Sequence, residues 1–291
     1  ALLAAGTGCR APEGRAPEGK VLPAAGSTVE SRMAGPLLAQ MTLEEKVGMT
    51  HASSSFTSGG VERLGIPELV MSDGPHGVRH EHTRGYDKAV GVEDASTYLP
   101  VGTALAATFN EELGYAFGEV LGRETAWRGK DVILGPGINI IRDPLNGRNF
   151  EYLTEDPYLN GRMAVGYVRG VQDQGVATSV KHYIANSLEY ERRFVNVEMD
   201  ERTFREIYLP AFKAAVQEGD SWTVMSAYNS INGVPCAHSY HLLTEVLRDD
   251  LVEDINEWDS YAVEEAVRLK EALGGEVTVV SLGDEDSEEV L

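Results

Sequence analysis

Asp73, Lys181, His182 and Tyr228 each stand where a short apolar run breaks into polar and small residues: LVMSDGPHG (69–77), TSVKHYIAN (178–186) and TVMSAYNSING (223–233). A fourth run of the same build, VILGPGINIIRDP (132–144), ends on Arg142 and Asp143. A carboxylate accepts hydrogen bonds from vicinal hydroxyls, while Lys and Arg donate to their oxygens. Such a set can grip a polar sugar ring or a phosphate. It does not make a hydrophobic pocket.

Near-continuous apolar runs read as buried strands, and helical periodicity fills the intervals between them. Thr42 and Glu45 in MTLEEKVG have the spacing of a capping box. Helices are expected over 111–129, over 159–175 with Gly175 as C-cap, over 200–219, and in HLLTEVLRDD (241–250). Strands alternating with helices predict an α/β fold with a parallel sheet, and in a (β/α)8 barrel the chemistry sits where strands end. Five or six βα units are legible where a closed barrel needs eight, so the expected architecture is an incomplete TIM (β/α)8 barrel.

The formal charge of −21 over 291 residues argues against nucleic acid as a partner, because phosphate backbones are bound by an excess of Lys and Arg. No apolar run reaches the roughly 20 residues of a membrane span. Residues 250–291 carry −12 of the −21, a composition shift that marks a boundary. Two cysteines, Cys9 and Cys236, make neither a disulfide framework nor a metal set. The opening ALLAAGTGC, followed by APEGRAPEGK, resembles the end of a bacterial lipoprotein signal. On that reading Cys9 is a lipid anchor and the protein is periplasmic or extracellular; the alternative is a disordered N-terminus. The organisation expected is a signal remnant and linker (1–35), a partial barrel (36–249) and a short foreign αβ tail (250–291).

MTLEEKVG, SDGPHGVR, NIIRDPLNGRNFEYLTEDPYL, SVKHYIAN, EYERR, DERTFREIYLPAFKAAVQEG and VMSAYNSINGVP occur in this order. Together they resemble the N-terminal barrel of family 3 glycoside hydrolases, the β-glucosidase and β-xylosidase family, over about residues 36–249. The resemblance implies retaining, exo-acting hydrolysis of a small β-linked oligosaccharide or aryl glycoside, with no metal or organic cofactor. It assigns Asp73 to the outer hydroxyls of the sugar, Arg148 to the same ring, and Lys181 and His182 to the hydroxyls beside them. Arg192, or Arg193 one register on, becomes a further subsite arginine. Met225 and Tyr228 line the glycone pocket.

Each of these residues also has a plainer reading. Asp-Gly-Pro is turn chemistry, and a Lys-His pair at a strand end is commonly a surface feature. Arg142 and Asp143 are expected to form a structural ion pair. Glu151, Glu155 and Asp156 are assigned to the start of a helix rather than to catalysis. HGVRHEH (76–82) has no helical i, i+4 histidine pair enclosing a glutamate, the pattern a helical zinc site would show.

Retaining glycosidases use two carboxyl groups roughly 5 Å apart. The resemblance places the nucleophile on the next strand, in a stretch like GFVVSDW, and the acid/base in a following domain. The chain continues instead with LVEDINEWDSYAVEEAVRLKEALGGEVTVVSLGDEDSEEVL. About residues 255–291 resemble a segment of the electron-transfer flavoprotein β subunit, with a helix near 259–272 and a strand near 276–282. These observations predict a join of two unrelated pieces near Asp250 and a chain without turnover. Asp284 is the one surrogate nucleophile, displaced two strand positions, or ~6.5 Å, from the motif's aspartate. Two further readings remain open: a carbohydrate-binding fragment without hydrolysis, and, for the tail alone, a flavoprotein subunit.

Overall fold

The computed structural model describes residues 36–80 and 95–252. Cys9, Asp284, Glu81, His82 and the tail from residue 253 onward lie outside the described residues.

The four expected strands all form. A hairpin of β1 (Ala52–Ser54) and β2 (Thr57–Ser58) precedes β3 (Met71–Asp73), β4 (Val132–Leu134) and β5 (Ala177–Tyr183). After β6 (Asn196–Val197) come β7 (Thr223–Ser226), β8 (Ser230–Ile231) and β9 (Val234–Pro235). β3, β4, β5 and β7 make one parallel sheet whose spatial order is their chain order. That is the arrangement of a sector of a β/α barrel, since each crossover moves one strand in the same direction. Among the described residues no fifth strand joins this sheet, so the expected five or six units reduce to four.

Helices pack one face of the sheet. α1 (Leu43–Met49) starts with the predicted capping box: Thr42 accepts from the Glu45 N–H, and the Glu45 carboxylate accepts from the Thr42 N–H. α2 (Gly102–Ala106) leads to α3 (Glu111–Trp127), which Asn110 caps through the Glu112 and Leu113 N–H groups. α4 (Pro157–Gln172) begins with Asp156 as cap and proline in its first turn. From 201 to 218 the chain stays helical, but α turns at Glu201–Thr203 and Pro210–Lys213 alternate with wider π turns at Phe204–Tyr208 and Ala214–Glu218. Pro210 has no N–H to give its preceding turn, which is one cause of such widening. The expected C-terminal helix runs His241–Val252.

The apolar residues divide between the two faces of the sheet. Ile133 and Val180 join the large core formed with α3, α4 and the 201–218 helix, through Leu121, Val168 and Phe212. Val132, Leu134 and Ala177 form a smaller cluster on the opposite face, with Phe56, Met71, Trp222 and Met225 packed against it. β4 and β5 are buried along their whole length, as a strand covered on both faces should be. β7 is only half-buried throughout.

α3 and α4 approach closely because glycines on each helix face the backbone of the other. A Cβ on Gly118 would lie 2.2 Å from the Tyr167 carbonyl oxygen, and one on Gly170 would lie 2.1 Å from that of Tyr115. At the head of β3's turn, Tyr167 donates its hydroxyl to the Pro75 carbonyl at 3.1 Å, tying α4 to the loop that follows Asp73.

Candidate functional site

The carboxyl edge of the sheet gathers the polar residues. β3 ends at Asp73, and the chain turns at once through Gly74, whose φ of +116° leaves no room for a Cβ. The Asp73 carboxylate accepts from the Gly74 N–H at 2.9 Å, which fixes its direction. Beyond β4 the Gly135–Gly137 turn runs alongside β5: the Lys181 N–H donates to the Pro136 carbonyl, and the Ile138 N–H to that of Lys181. Asn139 then stands in for a strand partner, accepting from the His182 N–H at 2.9 Å and donating to its carbonyl at 2.8 Å. Lys181 and His182 are thereby held at the strand end by backbone contacts on both sides.

From these positions the side chains form an alternating series of charges. Lys181 Nζ lies 2.8 Å from Asp73 Oδ1 and 3.4 Å from Glu151 Oε2. Glu151 pairs through its other oxygen with Arg148, whose Nη1 is 3.5 Å from Glu189 Oε1. Arg192 Nη1 closes the series, 2.9 Å from Glu189 Oε2. Arg79 stands 3.9 Å from the other oxygen of Asp73 at the opposite end. The side chains of Lys181 and Glu151 are only 3% and 5% exposed, so each would be costly to bury without the other. Burial pushes the Asp73 carboxyl up, but Lys181, the Gly74 N–H and Arg79 outweigh it and hold the pKa below the usual range. Burial pulls the Arg148 guanidinium down, and its pairing with Glu151 more than restores it.

His182 is neutral. Burial, with Arg148, Lys181 and Arg192 nearby, pushes its pKa down to about 2. Its partners also fix the tautomer. Nε2 lies 2.9 Å from Arg148 Nη2, a group that can only donate, so Nε2 accepts. Nδ1 therefore carries the proton and donates to the Tyr152 hydroxyl at 3.2 Å. Tyr152 passes its own proton to the Asn186 carbonyl at 3.0 Å and accepts from the Asn186 amide at 3.1 Å. Both ring nitrogens of His182 thus work inside the protein, where they orient Arg148.

The third part of the site is an exposed ring. β6 pairs with β8, which brings the loop before β6 against the one after β7. The Arg192 guanidinium consequently lies 4.7 Å from the Tyr228 ring centroid, with Arg193 at 5.8 Å and His182 6.5 Å from the same ring. Tyr228 is 46% exposed. Of the two arginines, Arg192 is the one joined to the charge series. Met225 faces Lys181 in the β5–β7 register but packs into the small apolar cluster beneath the site.

The structure therefore brings Asp73, Arg148, Lys181, His182, Arg192 and Tyr228 together. Glu155 and Asp156 are at the start of α4, as expected. Arg142 and Asp143 do not pair with each other: Arg142 donates to the Tyr208 hydroxyl at 3.1 Å and Asp143 accepts from the Leu145 N–H at 2.8 Å. Leu145 follows Asp143 by two residues, an Asx-turn that competes successfully for the carboxylate. Glu151, expected at a helix start, instead ends a short 3-10 turn and is buried between Arg148 and Lys181, while Glu189, Tyr152 and Asn139 escaped sequence reasoning. Glu151 stands in NFE beside Arg148 and Glu189 in EYERR beside Arg192, so adjacency to a selected arginine was the available signal.

The model of the Glycosyl hydrolase family 3 N terminal domain matches residues 26–265, and that of the Electron transfer flavoprotein domain matches residues 244–291. Beta-glucosidase BoGH3A of Bacteroides ovatus is 48% identical over 214 residues, which are 73% of this chain and 29% of that protein. Thermostable beta-glucosidase B of Acetivibrio thermocellus is 42% identical over 225 residues, 76% of this chain and 30% of its own length. Exo-alpha-(1->6)-L-arabinopyranosidase of Bifidobacterium longum is 43% identical over 217 residues, 74% of this chain and 28% of its own length. Among solved structures, beta-glucosidase 3B from Thermotoga neapolitana in complex with alpha-D-glucose superposes with a TM-score of 0.69 at 41% identity, covering 75% of this chain and 32% of that one. The chain spans about 30% of the length of the curated relatives it matches.

Proposed function

This chain belongs to glycosyl hydrolase family 3 through the N-terminal domain of that family, and on that premise we propose that residues 36–249 form the glycone-holding part of a retaining, exo-acting β-glycosidase. The observation that carries the reading is the charge series at the sheet's carboxyl edge, with Tyr228 at one end and Asp73 at the other. Asp73 accepts from two neighbouring hydroxyls of a pyranose. Lys181 has one proton beyond those used by Asp73 and Glu151, and donates it to a sugar oxygen. Arg148 and Arg192 donate along the next edge of the ring, and Tyr228 meets its face. His182 acts through Arg148.

In a complete enzyme a carboxylate would attack the anomeric carbon while a second carboxylic acid protonates the departing oxygen. We assign neither role to a residue of 36–249, so what is proposed for these residues is sugar binding without turnover. Beyond about Asp250 it joins an electron-transfer-flavoprotein-like piece, a boundary inside the 244–265 stretch where both family models match. Export and a lipid anchor at Cys9 belong to the same proposal, and radiolabelled-palmitate incorporation lost in Cys9→Ala tests them.

The deciding experiment is calorimetric titration of the full chain with methyl β-D-glucoside, alongside an assay on an aryl β-glucoside. Millimolar binding that disappears in Asp73→Ala, with no hydrolysis above background, is expected. Absence of binding would sink the sugar grip, and hydrolysis would sink the claim of no turnover. A long DNA read across codons 240–260 tests the join.

A further inference from the structure

Glu189 touches three groups at the Tyr228 end of the site: Arg148 at 3.5 Å, Arg192 at 2.9 Å and the Asn186 amide at 3.1 Å. Both guanidiniums could otherwise grip an anion with paired N–H donors. Without Glu189, Arg148 would be left with Glu151, which also serves Lys181, and Arg192 would lose the carboxylate it pairs with. Arg193 adds positive charge on the solvent side of Tyr228, where it is exposed and screened. At the opposite end Asp73 repels negative charge. Any anionic group on a bound sugar would therefore lie beside Arg148 and Arg192, in the place where Glu189 already supplies a carboxylate.

We propose that Glu189 is a specificity-determining residue: it occupies the anion position between Arg148 and Arg192 and so reserves the site for uncharged sugars. The inference rests on the sugar-grip reading above and adds to it the exclusion of sugars that carry an anionic group. Glu189→Gln is the informative change, because the amide oxygen still accepts from Asn186 while the charge is lost. A purely structural role would weaken all ligands together. The proposed role instead changes the preference between them.

The test is titration of the full chain with D-glucose and with D-glucose 1-phosphate at low ionic strength. The wild type should prefer glucose. Glu189→Gln should shift that preference towards the phosphate by about ten-fold or more, an effect that fades in high salt. Glu189→Asp should stay close to the wild type. An unchanged preference in a Glu189→Gln protein that still binds glucose overturns the inference, as does a wild type that binds both alike. A wild type that binds no glucose overturns the sugar-grip reading, and this inference with it. Should Glu189→Gln fail to fold, competition in the wild type decides: tens of millimolar inorganic phosphate should leave glucose binding intact, and displacement overturns the inference.

Discussion

Lys181 and Asp73 are 108 residues apart in the chain, yet their ammonium and carboxylate meet at 2.8 Å. Two strands separated by β4 bring them together, and Glu151 holds Lys181 from the other side. Lys181→Met would leave two carboxylates facing a buried thioether. Breaking a buried pair in this way costs roughly 3–5 kcal/mol of stability, which urea denaturation would detect. Sugar affinity should fall more than about ten-fold, since a charged hydrogen bond contributes roughly 1.5–3 kcal/mol. A stability loss under about 1 kcal/mol would show that Lys181 is not an interior ion.

His182 makes stability depend on pH. Unfolded, it takes up a proton near pH 6.5; folded, it resists until about 2. Below pH 6.5 the unfolded chain binds more protons than the folded one, so stability falls as pH falls. The contribution is fully present above pH 6.5 and declines by up to about 1.4 kcal/mol per pH unit below it. Denaturation midpoints between pH 7.5 and 4.5 should drop more steeply for the wild type than for His182→Gln. Parallel curves would mean that the imidazole is not held neutral.

Arg192 and Arg193 separate by function. Arg192→Lys keeps the charge but loses the planar fork on Glu189 and the stack on Tyr228. Sugar affinity should fall several-fold, while stability moves by less than about 1 kcal/mol because the side chain is partly solvated. Arg193→Ala should leave both nearly unchanged. The reverse pattern would move the subsite arginine one position along.

Gly170→Ala tests the helix contact behind the sheet. Its Cβ would press on the Tyr115 carbonyl, and overpacking of this kind costs typically 1–3 kcal/mol. Thermal midpoints should drop by roughly 2–4 °C for each kcal/mol. Sugar affinity of the protein that remains folded should fall as well, because the same contact spaces the helices that lead into β4 and β5.

The strands, the capping box of α1 and the Asp156 start of α4 were legible because each rests on local chemistry: an apolar run, a hydroxyl three residues before a glutamate, an aspartate before a proline. The binding side chains were legible as types. Their partners were not. Glu151 looked like one of three acids at a helix start, and only the fold shows that it points inward between Lys181 and Arg148 while Glu155 and Asp156 stay at the surface. Adjacency in the chain suggests that Arg142 and Asp143 pair, yet a Tyr from a helix 66 residues away takes the arginine. Adjacent residues on an extended segment point apart, so the nearer acid in sequence was the wrong partner.

The glycine contact between α3 and α4 acts at a distance. These two helices deliver the chain into β4 and β5, and bare backbone against bare backbone leaves their separation no slack. The height at which Lys181 emerges relative to Glu151 is therefore gauged from behind the sheet, by two surfaces that never meet a ligand. A site whose dimensions are set this way resists being loosened by nearby loop changes, and it would drift as a unit if the spacer were thickened.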